Sequence, residues 1–186
     1  IWTGTATQYK VNLLRKFFEQ YKQDPSDLVF FLDDSKGIGS DEEIERYKIR
    51  RKYWESVLPS LQEATGTFLN ISPSKNNSIM GATARSGVYL CCVANYDSAR
   101  VEIFIDQGDY QKNRAIYKRL EQNRDAIEVA YGKSLNWVCQ DDVRACKVYD
   151  EIKEVSIKNE EDWPVMSAFH IQRAKALLVA TKQFLA

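Results

Sequence analysis

Two carboxylates in one predicted strand are the candidate residues for a metal-dependent reaction. Glu102 and Asp106 lie within residues 100–106, where apolar and polar residues alternate. Because successive side chains of a strand point to opposite faces, both carboxylates share a face with Arg100. Their Cα atoms would lie about 13 Å apart along the strand, which is too far for one ion to use both. Glu102 and Asp106 are nevertheless kept as catalytic candidates for a metal-dependent alternative, and the competing interpretation is a solvated face of paired charges.

A loop rich in hydrogen-bond donors is the best candidate for binding an anion. Residues 70–77 follow a predicted strand and contain Lys75, and Pro73 restrains their backbone. Arg100 begins a nearby strand, so the two cations together could bind a phosphate group. The alternative is that the polar side chains only satisfy the loop's own backbone. The nucleic-acid-binding or anion-binding candidates, on this loop and near other strand ends, are Ser72, Ser74, Lys75, Asn77, Arg100, Lys112, Arg144 and Lys147.

Histidine and cysteine offer little support for nucleophilic catalysis or for a metal site. The one histidine, His170, lies on the apolar stripe of the last predicted helix, which favours a hydrogen-bonded core residue over a catalytic one. The four cysteines, Cys91, Cys92, Cys139 and Cys146, lack the Cys-x-x-Cys spacing of zinc and redox sites. We therefore predict four free thiols and no metal site.

The elements that position these residues are predicted from hydrophobic periodicity. Apolar residues recur at three- and four-residue steps in the helices and at alternate or successive positions in the strands. Two strands joined by a short turn must pair antiparallel. The sequence predicts an α+β fold of order α-βββ-α-ββ-α, in which helices pack on a mixed or antiparallel sheet. The predicted helices cover residues 41–63, 110–131 and 160 onward, and the predicted strands cover residues 67–71, 88–94, 100–106, 135–139 and 144–149.

The first 40 residues are predicted to be a separate extension. Residues 7–22 carry one apolar stripe at helical spacing, and residues 33–40 are polar with two glycines. We expect an N-terminal extension or linker, helical in part, at residues 1–40 and a single α+β domain at residues 41–186. The chain starts at Ile1, so we expect it to be a piece of a larger protein.

Charge and hydropathy limit the partners. The 186 residues include 26 Lys and Arg and 26 Asp and Glu, so the formal net charge is zero. A surface that attracts nucleic acid must then come from segregation of the charges. No apolar run reaches the roughly 20 residues of a membrane helix, and the first residues do not have the pattern of a signal peptide. The expectation is a cytoplasmic protein with no membrane partner.

Two strings of residues are distinctive enough to indicate a family. They are Asn-Ile-Ser-Pro-Ser-Lys at residues 70–75 and Arg-Val-Glu-x-x-Ile-Asp at residues 100–106. With residues 46–61 and 135–137, they resemble the prokaryotic domain of unknown function 4268 over about residues 41–186. Members commonly carry this domain C-terminal to a nuclease-like domain or within restriction- and defence-type proteins. The resemblance implies a non-catalytic accessory domain, with DNA or RNA and an N-terminal catalytic domain of the same protein as expected partners.

The order of the elements is also similar to the core of the PD-(D/E)XK nucleases. Those enzymes hold Mg²⁺ with acids on neighbouring strands and place a lysine two residues beyond the second acid. Here Phe104 stands two residues after Glu102, and Asp97 lies in a turn. A divergent nuclease that uses Mg²⁺ is kept as one alternative, and a protein-interaction or dimerisation module as another. No cofactor is expected outside the nuclease alternative.

Overall fold

The computed structural model describes residues 41–185. The predicted extension at residues 1–40, with its helix at residues 7–22, lies outside the described residues. In chain order the elements are α1 (Asp41–Thr65), β1 (Ser78–Ala82), β2 (Val88–Ala94), β3 (Ser98–Ile105), α2 (Tyr110–Glu121), α3 (Arg124–Tyr131), β4 (Asn136–Val138), β5 (Cys146–Lys153), a 3₁₀ turn (Glu160–Asp162) and α4 (Trp163–Leu185). Within residues 41–185, no helix combines the length and the apolar character needed to cross a membrane.

The five strands form one sheet in the order β1-β2-β3-β5-β4, and each neighbouring pair is antiparallel. The α+β fold predicted from the sequence is confirmed, and the sheet is antiparallel rather than mixed. The centre of the sheet is β3, where Ile103 pairs with Leu90 on one side and with Val148 on the other. The alternation predicted for β3 thus places Val101, Ile103 and Ile105 in the core, and all three are fully buried.

One face of the sheet and the four helices share a single hydrophobic core. From α1 the core receives Tyr53 and Trp54, and from α4 it receives Met166 and Leu177. Burying side chains of this size contributes about 1.5–3 kcal/mol each, so this core is the main source of stability. The helices therefore hold the strand ends and connecting loops in fixed positions.

The first strand does not lie where the periodicity places it. Residues 67–71 are not a strand, and that prediction was wrong; β1 lies at Ser78–Ala82, directly after the predicted loop at residues 70–77. Phe68 has a left-handed backbone with φ of 62°, and its carbonyl accepts a hydrogen bond from Ile71 N at 3.0 Å. Its ring is buried against Gly81, where an added Cβ would lie 3.1 Å from the ring carbons. The apolar character of Phe68 thus serves core packing rather than strand pairing.

The predicted helix over residues 110–131 is two helices, α2 and α3. The helix is interrupted at Gln122 and Asn123, where the Asn123 side chain donates to Arg119 O at 2.8 Å. Such a bond offers the backbone an alternative to the next helical turn. The predicted end at residue 131 is confirmed, since the last helical residue is Tyr131 and Gly132 caps it with φ of 91°.

The cysteines divide into two pairs with different chemistry. Cys139 and Cys146 form a disulfide, so the prediction of four free thiols was wrong for this pair. Strand register is the physical reason. Val138 of β4 pairs with Lys147 of β5 in an antiparallel register. Cys139 follows Val138 and Cys146 precedes Lys147, so the two cysteines lie directly opposite each other. Cys91 and Cys92 are free and buried, and burial raises the pKa of both thiols.

Candidate functional site

Four segments of the chain place cations against two tyrosine rings at the end of the sheet that carries the β2–β3 turn. They are α1, the loop before β1, the β2–β3 turn and the segment that follows β5. We call this surface the basic–aromatic cluster, and its members are Arg46, Tyr47, Arg50, Lys75, Tyr96 and Lys158.

Helix α1 supplies Arg46, Tyr47 and Arg50 from one side of its N-terminal half. Arg50 stands four residues after Arg46 and three after Tyr47, so its side chain lies beside both on one side of the helix. The adjoining turn buries Tyr53 and Trp54 in the core, so the helix cannot rotate the cluster inward. Arg46 is paired with Glu43 at 3.2 Å, and its guanidinium carbon lies 5.2 Å from the centre of the Tyr47 ring.

The loop before β1 places Lys75 beside this face of α1. Arg50 Nη1 donates to the carbonyl oxygen of Lys75 at 3.4 Å, and Lys75 Nζ lies 5.2 Å from the centre of the Tyr47 ring. Trp54 Nε1 donates to Asn76 O at 2.9 Å, which ties the loop to the core. The loop is thus held by backbone contacts, which leave the ammonium group of Lys75 exposed.

The other polar residues predicted on this loop have local partners. Ser74 Oγ accepts from Asn76 N at 3.1 Å, and Asn77 Nδ2 donates to Asn95 Oδ1 at 3.0 Å. Ser72 is exposed. Ser74 and Asn77 therefore stabilise the loop and its contact with the β2–β3 turn, whereas Lys75, like Ser72, is exposed.

The β2–β3 turn and the segment after β5 complete the cluster. Tyr96 lies on the turn, with Lys158 Nζ at 4.5 Å and the guanidinium carbon of Arg50 at 5.8 Å from its ring centre. Ile157 N donates to Asn95 O at 2.9 Å, so the segment that carries Lys158 is bonded to the turn. The two tyrosine rings thus lie among cations from different parts of the sequence.

The cluster keeps positive charge that its neighbours do not neutralise. Within residues 41–185, Arg50, Lys75 and Lys158 form no ion pair with an acidic side chain. A cation that is left unpaired at the surface is available to an external anion. Three cations of a formally neutral chain thus lie in this cluster without an ion-pair partner among residues 41–185.

Arg100 and Lys147 lie together on the face of the sheet opposite the helices. Arg100 Nε lies 2.8 Å from Glu102 Oε2, and Glu102 is only 6% exposed. The Arg100 guanidinium carbon and Lys147 Nζ lie 5.2 Å and 5.5 Å from the centre of the Tyr149 ring. A buried carboxylate therefore neutralises Arg100, whose partners are different from those of Lys75.

Asp106 and Arg144 form a bidentate pair where β3 leads into α2. Arg144 donates from Nε to Oδ1 at 2.9 Å and from Nη2 to Oδ2 at 2.6 Å. Gly108 N and Asn113 Nδ2 also donate to Oδ1. The Arg144 hydrogen bonds are the main cause that lowers the pKa of Asp106 to about 2. Lys112 lies nearby on α2, where its backbone N–H donates to the capping residue Asp109 at 2.8 Å.

These contacts bear on the metal-dependent alternative. Glu102 and Asp106 each have an arginine partner, and they do not converge on one point. Across the part of the chain that the structure describes, no group of three or more His, Cys, Asp or Glu side chains is arranged to hold a metal ion. The partners in the Arg100–Glu102 and Arg144–Asp106 pairs neutralise each other's charges, whereas the basic–aromatic cluster has cations that could bind an anion.

Two buried polar groups act within the fold. His170 is fully buried, with Nε2 3.1 Å from Val93 O and Nδ1 2.7 Å from the Tyr53 hydroxyl. Asp150 was not identified from the sequence. It is 3% exposed and accepts from the Tyr131 hydroxyl at 2.5 Å, with Lys133 Nζ at 2.7 Å. Its position on the core face of β5 is the signal that could have found it.

Most of the cluster was also missed from the sequence. A tyrosine in the polar turn at residues 95–98 is a local signal, and the basic residues in the middle of α1 are another. Lys158 carries no local signal, because only the folded chain brings it to Tyr96.

The comparisons with known proteins give one match. The family model described as "Domain of unknown function (DUF4268)" matches residues 49–185. Neither the curated proteins nor the solved structures contain a match to this chain.

Proposed function

The chain belongs to the DUF4268 family, and we propose that its α+β domain binds the phosphate backbone of nucleic acid without catalysing a reaction. In this proposal it is an accessory domain of a nuclease-type or restriction- and defence-type protein. Its partners are DNA or RNA and a catalytic domain N-terminal to it in the same protein, in the cytoplasm. The family resemblance supports the setting, and the contacts of the chain itself support the binding.

The observation that carries the proposal is the placement of Arg50, Lys75 and Lys158 around the rings of Tyr47 and Tyr96. Phosphate contacts from lysine and arginine supply most of the sequence-independent affinity of nucleic-acid-binding proteins. The three cations have no acidic partner among residues 41–185, so binding a phosphate would not first require a salt bridge to break. By contrast, Arg100 and Arg144 are paired with Glu102 and Asp106 and contribute less.

The test is the salt dependence of binding, measured by fluorescence anisotropy with the 186-residue chain and a labelled duplex. Wild type is compared with a Lys75→Ala/Lys158→Ala variant. The matched control is Lys175→Ala/Lys182→Ala, which removes two exposed lysines of α4 and the same charge. The slope of log K against log salt concentration is negative, and each lost phosphate contact moves it about 0.9 closer to zero. We expect the slope of the cluster variant to lie about 1.8 closer to zero than that of wild type, and the slope of the control to equal the wild-type value.

Two results would count against the proposal. One is wild-type protein that shows no salt-dependent binding to any nucleic acid. The other is an equal loss of affinity in the cluster variant and the control, which would mean that total charge matters and the cluster does not. Melting temperatures of both variants should equal that of wild type, because exposed lysines contribute little to the fold.

A further inference from the structure

Tyr96 is the one aromatic side chain among residues 41–185 that is exposed. Its ring is 40% exposed at the tip of the β2–β3 turn. Aromatic rings are usually placed where most of their apolar surface is covered. An exposed ring within a group of cations is therefore a feature that the packing of the domain does not account for.

The turn that carries Tyr96 is firmly bonded on both sides. Asn95 N donates to Ser98 O at 2.9 Å, and Asn95 Nδ2 donates to Ser98 Oγ at 3.3 Å. Ile157 N and Asn77 Nδ2 also donate to Asn95. These bonds fix the backbone on which the ring stands, so little ordering would be needed when a ligand contacts it.

The chemistry around the ring fits one kind of ligand group. Every nucleobase has a π-face that can stack on a tyrosine ring, and cations beside the ring can contact the phosphates that flank the base. In a duplex both faces of each base are already stacked on neighbours, so an isolated ring can reach only a base that is unpaired. Phosphate binding alone would not require an aromatic ring at this position.

We propose that the basic–aromatic cluster binds single-stranded nucleic acid, with an unpaired base stacked on Tyr96. Arg50, Lys75 and Lys158 contact the phosphates on either side of that base. This inference rests on the proposed function, because it names the form of nucleic acid that the same surface takes. The competing role of Tyr96 is to hold Arg50 and Lys158 in place by contact with its ring.

The experiment compares one labelled oligodeoxythymidine as a single strand and as a duplex with its complement, at one ionic strength, by fluorescence anisotropy. The proteins are wild type, Tyr96→Ala and Tyr96→Phe, each as the 186-residue chain. We expect Tyr96→Ala to weaken binding of the single strand by roughly 5- to 150-fold, the range that one stacked base supplies. Duplex binding should not change, and Tyr96→Phe should bind as wild type does because the ring remains.

An oligomer of abasic sugar-phosphate units of the same length isolates the stacking contact. Wild type should bind this probe as weakly as Tyr96→Ala binds the oligodeoxythymidine, and Tyr96→Ala should not distinguish the two probes. Melting curves check that the variants are folded.

The outcomes separate this inference from the proposed function. If Tyr96→Ala weakens single-strand and duplex binding equally, the ring only positions the cations and the inference is wrong, although phosphate binding stands. If Tyr96→Ala binds both as wild type does, the inference is also wrong. If wild type binds neither form in a salt-dependent way, the proposed function fails and this inference fails with it.

Discussion

Lowering the pH from 7 to 5 should destabilise the protein through its one histidine. His170 is fully buried, and its Nε2 faces the carbonyl oxygen of Val93. Because a carbonyl only accepts, Nε2 must carry the proton, and Nδ1 then accepts from the Tyr53 hydroxyl. Both ring nitrogens are satisfied in the neutral form. Burial is the main cause that lowers the pKa of His170 to about 4.

The magnitude follows from the difference in proton uptake between the two states. In the unfolded chain histidine has a pKa of about 6.5, so it binds a proton below that pH while the folded chain does not. Stability is therefore fully present above pH 6.5 and is lost as the pH falls toward 4. At about 1.36 kcal/mol for each pH unit, the free energy of unfolding should fall by about 2 kcal/mol between pH 7 and pH 5.

Urea unfolding at pH 7, 6 and 5 measures this change, and the NMR shift of the single histidine reports the pKa in the folded state. His170→Gln is the control, because an amide can accept from Tyr53 and donate to Val93 without titrating. Its unfolding free energy should vary less over this range than that of wild type. A folded-state pKa near 6.5, or equal pH dependence in wild type and His170→Gln, would falsify the reasoning.

Three further predictions concern the Asp106–Arg144 pair, the cysteines and the nuclease alternative. Asp106→Asn should lower the melting temperature, because it breaks the ion pair with Arg144. Since the pKa of Asp106 is lowered in the folded protein, the pair stabilises the fold above about pH 4. This contribution to the free energy of unfolding is lost as the pH falls toward 2. Urea unfolding of wild type and variant should therefore converge in acid, and parallel curves would contradict this. Thiol titration in denaturant without reductant should find two reactive cysteines, and four after reduction of Cys139–Cys146; four at the outset would mean that the pair is reduced. The isolated chain should not nick plasmid DNA with Mg²⁺ or Mn²⁺, and cleavage that disappears in Glu102→Ala would support the divergent nuclease instead.

The fold could be predicted from the sequence where one element alone sets the pattern. The alternation of β3 and the end of α3 at residue 131 depend on local geometry, and both were predicted correctly. The first strand was misplaced because Phe68 is apolar for a tertiary reason, its contact with Gly81. The break at Asn123 was missed because the apolar stripe runs on through α2 and α3.

The candidate site could be predicted only in part, since it is assembled from segments far apart in the chain. Lys75 was singled out from its own loop, and its role as an anion ligand stays a prediction. Its neighbours Tyr47, Tyr96 and Lys158 join it only after α1 packs on the core and the segment after β5 bonds to the β2–β3 turn. The hydrophobic periodicity of a single helix or strand cannot predict which distant segments come into contact in the folded chain.

The pairing of β3 with β5 has a consequence for how the chain folds. β1, β2 and β3 follow one another directly in the chain and can pair as a local meander. In contrast, α2, α3 and β4 separate β5 from β3 in the chain. Closing that long connection costs chain entropy before Ile103 and Val148 can meet. We therefore expect the pairing of β3 with β5 to be the slowest step in forming the sheet. Substitutions at the contact between β3 and β5 should change the folding rate more than substitutions within β1, β2 and the turns that join them to β3.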